Sequence, residues 1–246
     1  MKAWDFSVIS ARRQFSPESI VNLALKIAKD HGYSPINPQN GLVEGIHAEG
    51  YPEFFLPSTE QLIRLLSQDG GLVNLWSDYT DVALSFHNPD PTVTGLLGSA
   101  SSAAGPFVVT TLHVENSSWR PSTIERGLIV RDSEGIFADL CLALSSPYGY
   151  CVDEDAGDQL MADLGLDLSF RRNYRADKPP EYLFWLQYLS ASYAEVVDLP
   201  LIAELGGKVQ KVGDGIFVHF FHAPWEVDLR RLVEINRHWK QSGSFR

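Results

Sequence analysis

Apolar and polar residues alternate from Trp4 to Ala11. Trp4, Phe6 and Val8 fall on one side and Asp5 and Ser7 on the other, the period-two signature of a half-buried strand. The period then lengthens. Ser16 stands as a cap and Pro17 at the first position of a helix. Ile20, Leu23, Ala24, Ile27 and His31 share one face of it, and Gly32 marks its end. His31, in the last turn, suits the negative end of the helix. Ser58-Thr59-Glu60-Gln61 reads as a capping box for a second helix, with Leu62, Leu65 and Leu66 inward and Gly70-Gly71 closing it. Leu72–Ser77 and Val82–His87 read as paired strands, and Phe107–Val114 as a β-branched strand. Ser122 and Glu125 form another capping box, for a helix reaching Leu144 with Gly135 as its point of breakage. A short strand, Tyr148–Val152, and a short helix, Ala156–Leu164, follow.

The densest apolar stretch runs from Pro179 to Trp225 and reads as strand, helix, strand, turn, strand. Tyr182–Leu189 is apolar at nearly every position, which fits a strand covered on both faces. Ser192–Asp198 predicts a short helix, limited by Pro200. Lys208–Val212 alternates, with Val209 and Val212 expected inward. Asp214-Gly215 is a hairpin signal, because Gly tolerates the positive φ of a tight turn. Ile216–Phe221 is apolar on both sides and reads as a central strand. Val227–Trp239 predicts a closing helix, with Leu229, Leu232, Ile235, Asn236 and Trp239 available to pack.

Between these elements lie two irregular stretches, Tyr33–Pro57 and Pro89–Gly105, and a basic loop carrying Arg171, Arg172, Arg175 and Lys178. The sum is an α+β layered fold, with a mostly antiparallel sheet and helices packed on one face. The chain reads as a single domain, 1–246, with Trp119-Arg120-Pro121 as a midpoint. Its halves, 1–120 and 121–246, each carry hairpin-forming strands alongside helices, without a sequence repeat.

Composition narrows the function classes. Hydrophobic residues make up 44% of the chain and charged residues 21%, enough for a core and unlike a disordered chain. No apolar run reaches the length of a membrane span, and the N-terminus lacks a signal-peptide core, so a cytoplasmic location is expected. Cys141 and Cys151 are too few for a disulfide framework. The net charge of −11 argues against binding nucleic acid through its phosphates and is compatible with a basic protein partner. The charge is uneven: ten acids and two arginines occupy Glu125–Asp167, whereas the stretch from Arg230 onward is basic.

Residues arranged for chemistry are scarce. Gly98–Gly105 and Gly206-Gly207-Lys208 lack the P-loop spacing. His219 and His222, three apart on a strand, face opposite sides; His47 with Glu49, and His87 with His113, make no site by spacing alone. Asp153-Glu154-Asp155-Ala156-Gly157-Asp158 begins like a calcium loop, but Leu164 stands where the bidentate Glu belongs. There is no Gly-x-Ser-x-Gly elbow, and Cys141 and Cys151 read as buried thiols. Neither a metal nor a cofactor is expected, nor enzymatic activity. The acids keep two readings: Asp153, Glu154 and Asp155 charge the start of the next helix, or these three with Asp158 form a docking surface for a basic partner. A second class stays open, an enzyme or small-molecule binder with a pocket near loops 33–57 and 89–105, lined by Tyr51, Phe54 and Phe55.

One resemblance goes further. Pro179-Pro180-Glu181-Tyr182-Leu183-Phe184-Trp185-Leu186-Gln187-Tyr188, then Ser192-Tyr193, then Val209–Val218 with its Asp214-Gly215 turn, resembles the immunity proteins of bacterial polymorphic toxin systems, most of all the immunity protein 52 family. The shared order is a Trp-containing strand, an aromatic helix start, a short Leu-rich segment and a hairpin before a closing helix. The similarity covers about a third of the chain and includes no catalytic motif; Leu189-Ser190-Ala191 stands where the family carries a Gly-Pro-like step. The resemblance implies a small acidic cytoplasmic protein that binds and neutralises a cognate toxin delivered between competing cells. A basic nuclease acting in the cytosol would fit such a partner.

Overall fold

The computed structural model describes residues 2–11, 15–47, 53–77, 81–86, 107–116, 123–165 and 178–242. Ten described strands are β1 (Lys2–Ala11), β2 (Val43–His47), β3 (Glu53–Leu56), β4 (Gly71–Trp76), β5 (Asp81–Phe86), β6 (Phe107–Asn116), β7 (Tyr148–Asp153), β8 (Leu186–Leu189), β9 (Lys208–Val212) and β10 (Gly215–His219). They form one antiparallel sheet in the order β3-β2-β4-β5-β6-β1-β7-β8-β10-β9. The described helices are α1 (Pro17–Asp30), α2 (Thr59–Asp69), α3 (Thr123–Ala143), α4 (Glu154–Leu164), α5 (Ala191–Ala194), α6 (Leu199–Glu204) and α7 (Leu229–Gln241). The fold is α+β and layered, as the alternation and helical periods indicate.

The helices, expected on one face, lie on both. One core is built by α1, α2 and α3 on Phe6, Val8, Val73, Leu75, Val82 and Leu84. The other is built by α4 to α7 on Tyr148, Tyr150, Leu189 and Val218. Cys151 belongs to the first core and Tyr150 to the second, because neighbouring strand residues point to opposite sides. β1 shows the consequence. Phe6 and Val8 are buried as expected, but Ser7, on the side expected to be solvated, is buried too, where α4 packs against β1. The sheet is continuous through 1–120 and 121–246, with β1 paired to β6 on one side and β7 on the other. The strand orders of the two halves differ, six strands reading 3-2-4-5-6-1 and four reading 7-8-10-9. Residues 117–122, with the midpoint Trp119-Arg120-Pro121 and the cap Ser122, lie outside the described residues.

Local signals hold where local chemistry decides. Ser16 Oγ accepts from the Ser19 N–H at 3.1 Å and Ser58 Oγ from the Gln61 N–H at 3.3 Å, which satisfies one orphan donor of each helix start. α3 runs unbroken through Gly135. Pro200, expected to limit a helix, sits in the first turn of α6, where its missing N–H costs nothing. The stretch 33–57 contains the β2–β3 hairpin.

The Pro179–Trp225 stretch is refined in three places. Only Leu186–Leu189 is strand; Tyr182 to Trp185 are equally buried but irregular, with bends at Tyr182 and Trp185. β9 is the sheet edge, so Val209 is 47% exposed instead of inward. Gly215 pairs with Val212, so the turn residues are Gly213 and Asp214, with the positive φ of 59° at Gly213. A Gly at the first turn position is the type II′ arrangement.

The strandless segment before β8 is held by α7. Asn236 is fully buried; its Oδ1 accepts from the Leu183 N–H at 2.8 Å, and its Nδ2 donates to the carbonyls of Leu183 at 2.8 Å and Leu232 at 2.9 Å. Trp239 Nε1 donates to the Pro180 carbonyl at 2.9 Å. These bonds replace the ladder that buried backbone groups require. Lys240 closes the end, its Nζ 3.8 Å from the centre of the Tyr182 ring and 3.9 Å from Glu181.

Candidate partner-binding surface

Asp153 closes β7, opposite Trp4 of β1, and Glu154 opens α4. Residues 154–164 are helical, so the calcium-like spacing is not that of a loop. Glu154 and Asp155 occupy the first turn, where negative charge is favoured by the helix dipole. Asp158 lies one turn on and is exposed; Ala156 and Leu160 point into the core. The four residues are therefore gathered at one helix start, in the place that the helix-charging reading gives to the first three. α4 packs beside α7. That helix carries Arg230, Arg231, Arg237 and Lys240 against Glu234, so the acidic helix has a basic neighbour.

The pocket reading meets a different geometry. Phe54 is 5% exposed and packs in the first core, its ring 5.4 Å from that of His47. Phe55 is 56% exposed on the opposite side of the same strand. The two do not converge. Tyr51 and residues 89–105 lie outside the described residues.

Titratable groups meet elsewhere. His31, which follows α1, places Nε2 2.8 Å from Asp139 Oδ2 on α3. It can approach because Gly135 has no side chain: a Cβ there would lie 2.7 Å from His31 Cε1. No spacing signal announces a pair 108 residues apart. On the same helix, burial raises the carboxyl of Asp132, partly offset by His31. Burial also pushes Glu134 up to about 7.

Glu134 makes a pH-dependent prediction. Its folded pKa lies above its ordinary value of 4.5. Below that value both states hold the proton, and no cost arises. As pH rises towards 7 the unfolded chain ionises while the folded chain keeps the proton, so stability falls, and it levels off above about 7. Glu134→Gln removes the penalty. It is expected to stabilise the protein at pH 8 by about 1–2 kcal/mol more than at pH 4, discounted for partial solvent screening. Urea unfolding at both pH values checks this; an equal effect at the two would refute it.

The remaining candidates read as packing. Cys141 and Cys151 are buried thiols, and burial pushes Cys141 up, away from the thiolate a nucleophile needs. His219 is held below its ordinary value by burial and then by the charges of His222 and Lys208. Ala83 stands opposite His113 in register; His87 and Glu49 lie outside the described residues. Among the described residues, no group of three or more His, Cys, Asp or Glu is placed to hold a metal ion. No described helix is long and apolar enough to cross a membrane.

No protein-family model matches the chain, that of immunity protein 52 included, and no curated protein matches it. Among solved structures, the Pseudomonas aeruginosa T6SS protein PA0821 is similar over 100% of this chain and 73% of its own, with a TM-score of 0.50 and 14% sequence identity. At that identity the likeness is one of fold. The chain is thus an α+β protein whose fold is similar to that of this Pseudomonas aeruginosa protein.

Proposed function

We propose that this chain is a non-catalytic immunity protein, which binds a cognate antibacterial toxin acting in the cytoplasm and blocks it by occupying its surface. The observation that carries the reading is the fold likeness, over the whole chain, to a protein described as belonging to a T6SS. Two features support it independently of that likeness. The C-terminal third resembles immunity proteins of polymorphic toxin systems, and the net charge of −11 suits a basic partner such as a nuclease domain while repelling nucleic acid itself.

Occupancy needs a rigid surface, since ordering a loose one on binding costs affinity. The two cores supply that rigidity from both sides of the sheet. An acidic exterior adds steering towards a basic partner and discriminates against acidic ones. Because Phe54 packs in the first core and Phe55 points to the other side of β3, the two cannot line one pocket near 33–57.

Co-expression with the toxin encoded beside this chain's gene tests the reading. The expected result is restored growth and a complex that co-purifies at low salt. Continued toxicity with no complex at low salt would defeat it.

A further inference from the structure

We infer that the β9–β10 hairpin is an acid-sensitive edge: when His219 takes up a proton, β9 loosens from β10 while the rest of the sheet stays paired. The device is a property of the fold and does not depend on the immunity reading.

His219 ends β10, where it pairs with Leu186 of β8 on one side and with Lys208 of β9 on the other. Its ring meets Phe217 of the first core edge-on, with centroids 5.7 Å apart. Nε2 is buried and has no hydrogen-bond partner among the described residues. A neutral ring can leave one nitrogen as a bare acceptor. An imidazolium carries an N–H on both nitrogens and a full charge, and burial without a partner is costly for each.

The charged neighbours have the wrong sign. Lys208 stands opposite on β9 and His222 follows β10, whereas β8 presents an apolar residue, Leu186. Burial and then His222 and Lys208 hold His219 below its ordinary value of 6.5, and among the described residues no carboxylate offsets them. Lys208 Nζ lies 3.4 Å from His222 Nε2. An ammonium only donates, so that contact needs a lone pair on His222, which protonation removes. Acid therefore takes away this bond and gathers the positive charges of Lys208, His219 and His222 in one place.

Relief is cheapest at β9. It is the edge strand, its residues are exposed or half-buried, and it pairs with β10 alone. β10 is tied on its other side to β8, and the Phe220 N–H extends that attachment to the Trp185 carbonyl at 2.9 Å. Separation from β9 draws Lys208 away and lets the imidazolium reach water. Above 6.5 the paired and loosened states both hold a neutral His219. As pH falls through 6.5 the loosened state is protonated first, and it gains until the paired state is protonated as well.

Amide protection factors at about pH 7.5 and about pH 5.5 test this, with β9 compared against Leu186–Leu189 of β8. In the unaltered chain, protection across β9 is expected to be about fivefold lower at the acid pH, and that of β8 unchanged. His219→Gln keeps a polar side chain without the titration and is expected to shrink the fall to about twofold or less. Lys208→Gln, at an exposed position, is expected to lessen it to about half. Equal protection of β9 at the two pH values, an undiminished fall in His219→Gln, or an equal fall in β8 would overturn the inference. Should His219→Gln not fold, an undiminished fall in Lys208→Gln would overturn it as well.

Discussion

Trp239→Ala is expected to lower the unfolding free energy by about 4 kcal/mol, the cost of deleting a large aromatic from a packed core. Trp239 is 0% exposed and sits in the second core among Leu183, Leu232 and Ile235. Its removal leaves a cavity and also orphans the Pro180 carbonyl, which the indole N–H now satisfies. A typical domain has about 5–15 kcal/mol in hand, so the variant would melt far earlier. Chemical denaturation measures it. A loss below about 1 kcal/mol would mean that α7 does not hold the segment before β8 in the way described.

Gly45→Val is the second large effect, and it acts on the other end of the sheet. Gly45 lies in β2 between Phe54 of β3 and Val73 of β4. A Cβ at this position would collide with the Leu72 carbonyl and the Phe54 ring. A carbonyl in a ladder cannot yield without breaking the pairing. The expected cost is about 3 kcal/mol, concentrated in the hairpin. Amide exchange should quicken across β2 and β3 while Leu186–Leu189 stay protected, because β8 lies six strands away in the sheet. Unchanged protection in β2 would show that the collision is relieved elsewhere.

Much of the fold was legible because its signals are local. Ser16 and Ser58 cap helices through bonds within three residues, and Leu232, Ile235, Asn236 and Trp239 lie on the buried stripe their spacing predicts. What sequence reading missed depended on partners distant in the chain. Val209 points to solvent because β9 has a neighbour on one side only, and alternation does not reveal which strand is at an edge. Gly213-Asp214-Gly215 offers two glycines for one turn, and the choice is made by the register with Leu189 and Val212. The β2–β3 hairpin was hidden because its strands are short and one of them turns Phe55 outward.

The candidate site divides in the same manner. Asp153, Glu154, Asp155 and Asp158 form a visible run, and the chain places them together at the start of α4. His31 and Asp139 lie 108 positions apart and meet only once α1 and α3 are packed together. A pair assembled across two helices leaves no motif.

The claim on which the account stands is that this molecule works by covering a basic toxin and not by turnover. Titration of the unaltered chain with the purified toxin domain, at about 50 mM and about 500 mM salt, tests it most directly. The account predicts a one-to-one complex without consumption of any substrate, at least about tenfold weaker at the higher salt. No complex at the lower salt, or an affinity indifferent to salt, would contradict it.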